Sequence, residues 1–440
     1  VGSYLPEPGW RVRYRLRDGT TEERAEEYSG WVTNSATIGI THTLPESSPA
    51  ESLEESKARD LAKAAIIETY NIEFENLTEL EAKSEKKPNR MDWFFRYRDN
   101  QNQVNVGDGE LRINIKIAGA EITNIWREVF VPEDWLRSEE EKQSKNMPFS
   151  LIEALVIALT ILLAVVFGIV RWSKKQFSIS IFIKSLIFLM VLRIVSLLNN
   201  LSNTIWNFST SKPYASQLYQ SIFSDLVMSV LFMSFIAALI IGLTHKLIQE
   251  NTNNQSSIIN GIYLGIFTSG ILSFVYSLYP QIEPSIGRIW DLNYEVPFLG
   301  GLLSFLGNFI QVTLLYLTIC IGLTAVTQNW SKLLPAGIIY TVALGFVASM
   351  NGSSTFESLL VWTGSSLALS LIIYIIHRDF IQYNVHLIPI TVGTMISLNI
   401  IRYGIINSHS GVYLIALLSI SSVALLAYIW SKQLMKVVEK

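Results

Sequence analysis

The chain has 440 residues, a formal net charge of −3, and 50% hydrophobic against 16% charged residues. No broad basic field exists, which excludes nucleic acid as an expected partner, and the single cysteine, Cys320, excludes an internal disulfide and a cysteine-based metal site. The charge is unevenly spread: 28 acids and 20 bases precede residue 148, while 9 acids and 14 bases serve the next 293 residues, too few to solvate a water-facing surface of that size.

The chain opens on Val1, which leaves open whether a signal peptide or an upstream helix precedes it. Residues 10 to 17, "WRVRYRLR", alternate strictly, with Trp10, Val12, Tyr14 and Leu16 on one face and four arginines on the other, and read as a half-buried strand. Residues 28 to 44 read as a second strand, ended by "LPESSPAES", where Ser47 or Ser48 is positioned to cap a helix. That helix is expected over 51–71, where Leu53, Leu61, Ala62, Ala65, Ile66 and Tyr70 recur at helical spacing. "MDWFFRYR", "LRINIKIA" and "EITNIWREVFV" follow as three strands, the last two joined by a short turn at Gly119. Residues 1–132 are thus expected to form an α+β domain, an antiparallel sheet packed on one helix. The order of one helix followed by strands over 51–131 resembles the PepSY and related cystatin-like domains.

Residues 133–148 read as a polar linker, and 149–440 as an all-α membrane domain. Nine apolar segments, about 149–171, 177–198, 223–245, 257–279, 297–327, 333–350, 356–376, 384–405 and 411–431, suit the roughly 20 residues that cross a bilayer as helix. The fifth is long enough to be tilted or to continue into water. If the first ends in the cytoplasm, Arg171, Lys174, Lys175, Lys246, Lys332, Arg378, Lys432, Lys436 and Lys440 lie inside, against Lys212, Arg288 and Arg402 outside. The positive-inside bias then places the N-terminal domain outside a plasma or inner membrane and the C-terminus in the cytoplasm. Trp172, Trp206, Tyr214, Trp290, Trp330 and Trp430 fall near the segment borders, as an interfacial belt requires.

Ionisable groups deep in a bilayer are costly and mark chemistry. Glu153, Asp225 and Glu357 fall within a turn or two of an outer helix end, and Lys184 and Arg193 lie about 9 to 11 Å from one, within reach of snorkelling. His42 sits on a strand, His245, His377 and His386 at cytoplasmic borders, and His409 in an outer loop. The "GSS" runs at 352–354 and 364–366 have no membrane histidine placed as base. With no His-Glu-x-x-His, Gly-x-Gly-Asp or Walker loop, no catalytic residue, cofactor or metal is expected. The remaining polar feature is Gly261 and Gly265 on the fourth segment with Gly300, Ser304, Gly307, Asn308 and Gln311 on the fifth. These read as a helix-packing seam or, alternatively, a polar pocket for substrate or lipid.

An outer α+β domain ending in "VPEDWLR", followed by a many-helix bundle, resembles proteins of the CAAX-protease and bacteriocin-processing family of intramembrane peptidases. That resemblance implies a Glu-Glu-x-x-x-Arg motif near 306–316, which here has neither Glu nor Arg. It implies histidines at Met350, four residues after Phe346, and at Met395, four before Asn399. The catalytic positions are therefore missing, and the resemblance implies a protease-like scaffold without protease chemistry. The function expected is a non-enzymatic polytopic membrane protein, a subunit or accessory factor of a membrane complex with an outer docking domain, in contact with lipids and protein partners. The alternatives are a peptidase with unrecognised catalytic groups, or a solute or lipid transporter. The last is favoured if Asn308 and Gln311 face an aqueous cavity, although no inverted pair of broken helices is evident.

Overall fold

A computed structural model describes residues 4, 9–33, 37–102, 109–174, 177–251, 257–278, 295–328, 330–349, 356–381, 384–407 and 411–435. The chain divides into two compact units, Val1–Glu140 with Ile205–Ser221, and Glu141–Thr204 with Ile222–Lys440.

The first unit holds two antiparallel sheets. Strands β1 (Trp10–Arg15), β2 (Glu27–Val32) and β3 (Thr37–Thr43) form one; β4 (Leu77–Lys87), β5 (Arg90–Asp99), β6 (Glu110–Ala118) and β7 (Glu121–Phe130) form the other as a meander. Helix α1 (Glu55–Tyr70) covers one face of the four-stranded sheet. Phe95 and Tyr97, and Ile113, Ile115 and Ile117, alternate onto that face and are at most 1% exposed. Ala58, Ala62 and Ile66 meet them from α1. Small alanines let the helix approach, while each large side chain so buried contributes about 1.5–3 kcal/mol. Asn71 ends the helix in the left-handed region, φ 53°, its N–H bonded to the Ile67 carbonyl.

Several expectations need correction here. Residues 28–44 are two strands, not one. The helix begins at Glu55 behind Glu54, so neither Ser47 nor Ser48 caps it; the carbonyl of Ser48 instead accepts from the Arg90 guanidinium at 2.8 Å. Strand β4, "LTELEAKSEKK", carries no apolar alternation and only Leu77 is buried, which hides it from a pattern search. The polar stretch 133–148 is helical, the start of a 41-residue helix α2 (Glu133–Ser173).

Strand β1 is covered on its arginine face, and Trp10, Tyr14 and Leu16 are exposed. The cause is residues 205–221, whose carbonyls take up the arginines: Arg13 donates to Trp206 O at 2.8 Å, and Arg15 to Ile205 O at 2.8 Å and to Phe208 O. Arg13 also lies over the Trp206 ring and Arg17 over that of Tyr214. Carbonyl oxygens and ring faces are better partners for guanidinium than apolar side chains are.

The second unit is helical: α3 (Ile179–Asn199), α4 (Leu201–Trp206), α5 (Tyr214–Asp225), α6 (Ser234–Asn251), α7 (Ile258–Leu278), α8 (Pro297–Gln328), α9 (Trp330–Ser349), α10 (Phe356–Ile376), α11 (Leu387–Ile406) and α12 (Val412–Met435). The last two residues of α4 and the first eight of α5 belong to the first unit. Residues Leu226–Met233 join α5 to α6 as a π-wound segment. Among the described residues seven helices are long and apolar enough to cross a membrane, carried by α3, α5–α6, α7, α8, α10, α11 and α12. This is a membrane protein of several spans. Helix α11 is the most enclosed and packs against α7, α8 and α12, with Phe309 of α8 edge-on to Trp430 of α12.

Candidate functional site

The helical unit contains a cavity of about 700 Å³ walled by α3, α4, the α5–α6 helix, α8, α11 and α12. Its polar residues come mainly from two helices. Arg193, Ser196, Asn200 and Asn203 recur every three or four positions along α3 and α4, so they share a face. Ser304, Asn308 and Gln311 do the same on α8 and are accessible rather than buried in a helix contact. By rise per residue, Arg193 lies about 9 Å from the end of α3, and Gln311 about 21 Å from the start of α8. The polar wall therefore reaches well into the span.

Local geometry holds this wall in place. The Asn199 side chain accepts from Val296 N–H at 2.9 Å, and its carbonyl accepts from Glu295 N–H at 2.9 Å, tying the end of α3 to the start of α8. Arg193 donates to Ser229 Oγ at 3.2 Å, a hydroxyl supplied by the π-wound segment. Two further wall residues have unused groups among the described residues: Asn199 Nδ2, in a side chain 5% exposed, and Ser234 Oγ, in one 1% exposed. No acid is among the described wall residues. Glu295 turns its carboxylate to the Ser202 hydroxyl at 2.5 Å and is not part of the wall.

The seven residues read as one seam are not brought together. Gly261 and Gly265 of α7 pack on α11 instead of α8: a Cβ at Gly261 would stand 2.9 Å from Ile390, and one at Gly265 would stand 2.6 Å from the Thr391 carbonyl. Thr391 Oγ1 also donates to the Gly261 carbonyl at 3.2 Å. On α8, Gly300, Ser304, Gly307, Asn308 and Gln311 line the cavity, and a Cβ at Gly307 would meet nothing within 4 Å. Spacing shows that small residues share a face; it does not show which neighbour that face meets.

Arg193, read as a snorkelling cation, also lines the cavity wall. The missed signal was in the sequence, because it heads a polar stripe rather than standing alone. Lys184, on the same helix, is exposed. Elsewhere, Phe346 packs edge-on to Trp362, and Met395 is buried in α11. His377 and His386 are each 3% exposed. Among the described residues no three His, Cys, Asp or Glu side chains are placed to share a metal ion. Lys175, Arg288, Trp290, Met350, residues 352–354, His409, Lys436 and Lys440 lie outside the described residues, as do the side chains of Glu153, Arg171, His245, Lys246, Trp330, Lys332 and Glu357.

In the first unit, His42 of β3 joins the two sheets. Its Nδ1 lies 2.7 Å from Glu121 Oε1 on β7, its Nε2 3.0 Å from Glu26 Oε1, and its ring stacks on Tyr28 at 3.8 Å. Burial works against the charged imidazole, but the two carboxylates outweigh it and raise the His42 pKa above its ordinary value.

Comparison with known proteins gives no match to a family model, to a curated protein or to a solved structure.

Proposed function

We propose that this chain is a non-enzymatic membrane protein that takes a lipid or small solute into the cavity of its helical unit, as a transporter or ligand-binding component does. The observation carrying this reading is that Asn308 and Gln311 line an accessible cavity of about 700 Å³ rather than a dry helix contact. That volume is within the range of ligand sites, and the mixture of leucines with a few amides and hydroxyls is their usual lining. The acid-free stretch 306–316 and Met395, where the CAAX-protease resemblance requires catalytic groups, support binding over hydrolysis and a protease-like scaffold put to another use.

The test is accessibility. In a Cys320→Ala background, single cysteines at Asn308 and Gln311 should react with a small water-soluble thiol reagent in the membrane-embedded protein, and Asn308→Trp should abolish reaction at Gln311→Cys. Inert cysteines at both positions, beside a reactive one at Asn200, would mean a dry seam and sink the proposal.

A second reading, an accessory subunit docking a protein partner through the first unit, is favoured by one surface. Trp10, Tyr14, Tyr28 and Ile40 fall in register on one face of the three-stranded sheet and are 43–70% exposed. Crosslinking from a photoreactive residue at Tyr14 tests it; the absence of any adduct in native membranes counts against it. For topology, nine spans with the first unit outside and the C-terminus in the cytoplasm is supported by the nine-to-three distribution of loop cations.

A further inference from the structure

Among the described residues, the cavity wall has a charge with nothing to balance it. Arg193 is its one permanently ionised member, and the partner of its guanidinium, the Ser229 hydroxyl, is neutral. A guanidinium stays charged in any protein environment. In a low-dielectric helical bundle, holding that charge without a counter-ion is costly, and the cost is relieved when an anion arrives with it. The other unused wall groups are also able to donate: the Asn199 amide and the Ser234 hydroxyl lack partners among the described residues. The amides and hydroxyls of the wall can both donate and accept, but its one full charge is positive and no described wall residue is a carboxylate, which suits a ligand bearing anionic acceptor oxygens.

The apolar part of the wall narrows the class. Leu189, Leu192, Leu303, Ile310 and Leu314 alternate with the polar residues, and the volume far exceeds a lone oxyanion. We infer, building on the cavity reading above, that the site takes a net-anionic phosphate group, with Arg193 as its counter-ion and the leucines beside the remainder of an amphiphile. Free phosphate and a phospholipid headgroup share this chemistry.

The test uses the full chain, Cys320→Ala with Asn308→Cys, reconstituted in phosphatidylcholine. Anionic and cationic methanethiosulfonates of similar size are compared. With each rate divided by that reagent's rate on a free small thiol, the anionic reagent should react roughly fivefold faster or more, because the local potential of Arg193 concentrates it. Arg193→Gln should bring the ratio near one, and Arg193→Lys should keep most of it. Adding phosphatidylglycerol should then protect the introduced thiol if the anion is a headgroup, and millimolar inorganic phosphate should protect it if the anion is free. Equal normalised rates for both reagents, unchanged by Arg193→Gln, would overturn the anion inference and leave the cavity reading standing. No reaction with either reagent would overturn both. A charge preference with no protection by either phosphate source would overturn phosphate as the ligand. The comparison of reagents with Arg193 intact needs no Arg193 variant, so a variant that fails to fold does not rescue the idea.

Discussion

At the scale of single residues, the helical unit separates glycines that look alike in sequence. Gly265→Ala would drive a methyl into the Thr391 backbone oxygen, which has no side-chain freedom to retreat, whereas Gly307→Ala would enter open space in the cavity. The expected outcomes have opposite signs. Gly265→Ala should destabilise by about 1–3 kcal/mol through overpacking, and Gly307→Ala should be neutral or stabilise by about 0.4–1 kcal/mol through lost chain entropy. Thermal unfolding in one detergent checks both, and a loss at Gly307 as large as at Gly265 would contradict the packing described. The presence of a small-residue stripe was legible in the sequence; its partner was not, since Gly261 and Gly265 match α11 as well as they would match α8 until a third dimension is available.

At the scale of elements, the first unit is joined by charge. The three-stranded sheet meets β7 through His42 and Glu121, and through the Thr41 hydroxyl donating to Asn124 at 3.0 Å. The raised pKa of His42 sets a sign: its stabilisation is complete below its ordinary 6.5 and is lost as pH rises through the raised value. Glu27 works in the opposite direction. The Arg13 guanidinium, at 2.6 Å, lowers its pKa, so its contribution is complete above 4.5 and lost as pH falls through the lowered value. Melting of the first unit, followed by tryptophan fluorescence, should therefore be highest between about pH 4.5 and 6.5 and decline above. His42→Phe should remove the alkaline decline and leave the acid one. An unchanged alkaline limb in that variant would exclude His42 as its source. Strands β5, β6 and β7 were readable because their alternation is apolar on one side. Strand β4 was not, because its order comes from backbone pairing with β5 and not from a buried face.

A second element-scale consequence concerns β1. Arg13 and Arg15 hold the carbonyls at 205, 206 and 208, and hydrogen bonds from charged donors are worth about 1.5–3 kcal/mol each. The double change Arg13→Ala with Arg15→Ala should raise amide hydrogen exchange over 207–217 by at least roughly tenfold, given that each 1.4 kcal/mol is a factor of ten. Exchange in α11 should not move. Alternation alone placed the arginines on one face and the rings on the other; it did not show that the polar face is the covered one, because the segment that covers it lies about 190 residues further along the chain.

At the scale of the whole molecule, that same segment ties topology to fold. Residues 205–221 fall in one compact unit with the sheets; of these, 207–213 link α4, which follows α3, to the membrane-crossing α5–α6 helix that begins at Tyr214. They must share an aqueous side with the sheets, since a chain segment cannot lie on both sides of a bilayer. In the proposed nine-span topology the C-terminal end of α12 lies on the other side, and the cation distribution favours that side as the cytoplasm. The segment count came from runs of apolar residues near the length needed to cross the hydrocarbon, a signal that composition carries without tertiary information. The prediction is a labelling pattern in intact cells with an impermeant thiol reagent and a Cys320→Ala background. Single cysteines at Ser138 and Lys212 should react from outside, and one at Gln433 only after permeabilisation. Reaction of all three from outside would require an even number of spans between Ser138 and Gln433. Reaction at Gln433 alone would invert the orientation while keeping the odd number. Disagreement between Ser138 and Lys212 would break the more basic link, the packing of residues 205–221 against the arginine face of β1, because no arrangement of spans leaves that contact intact with its two halves on opposite sides.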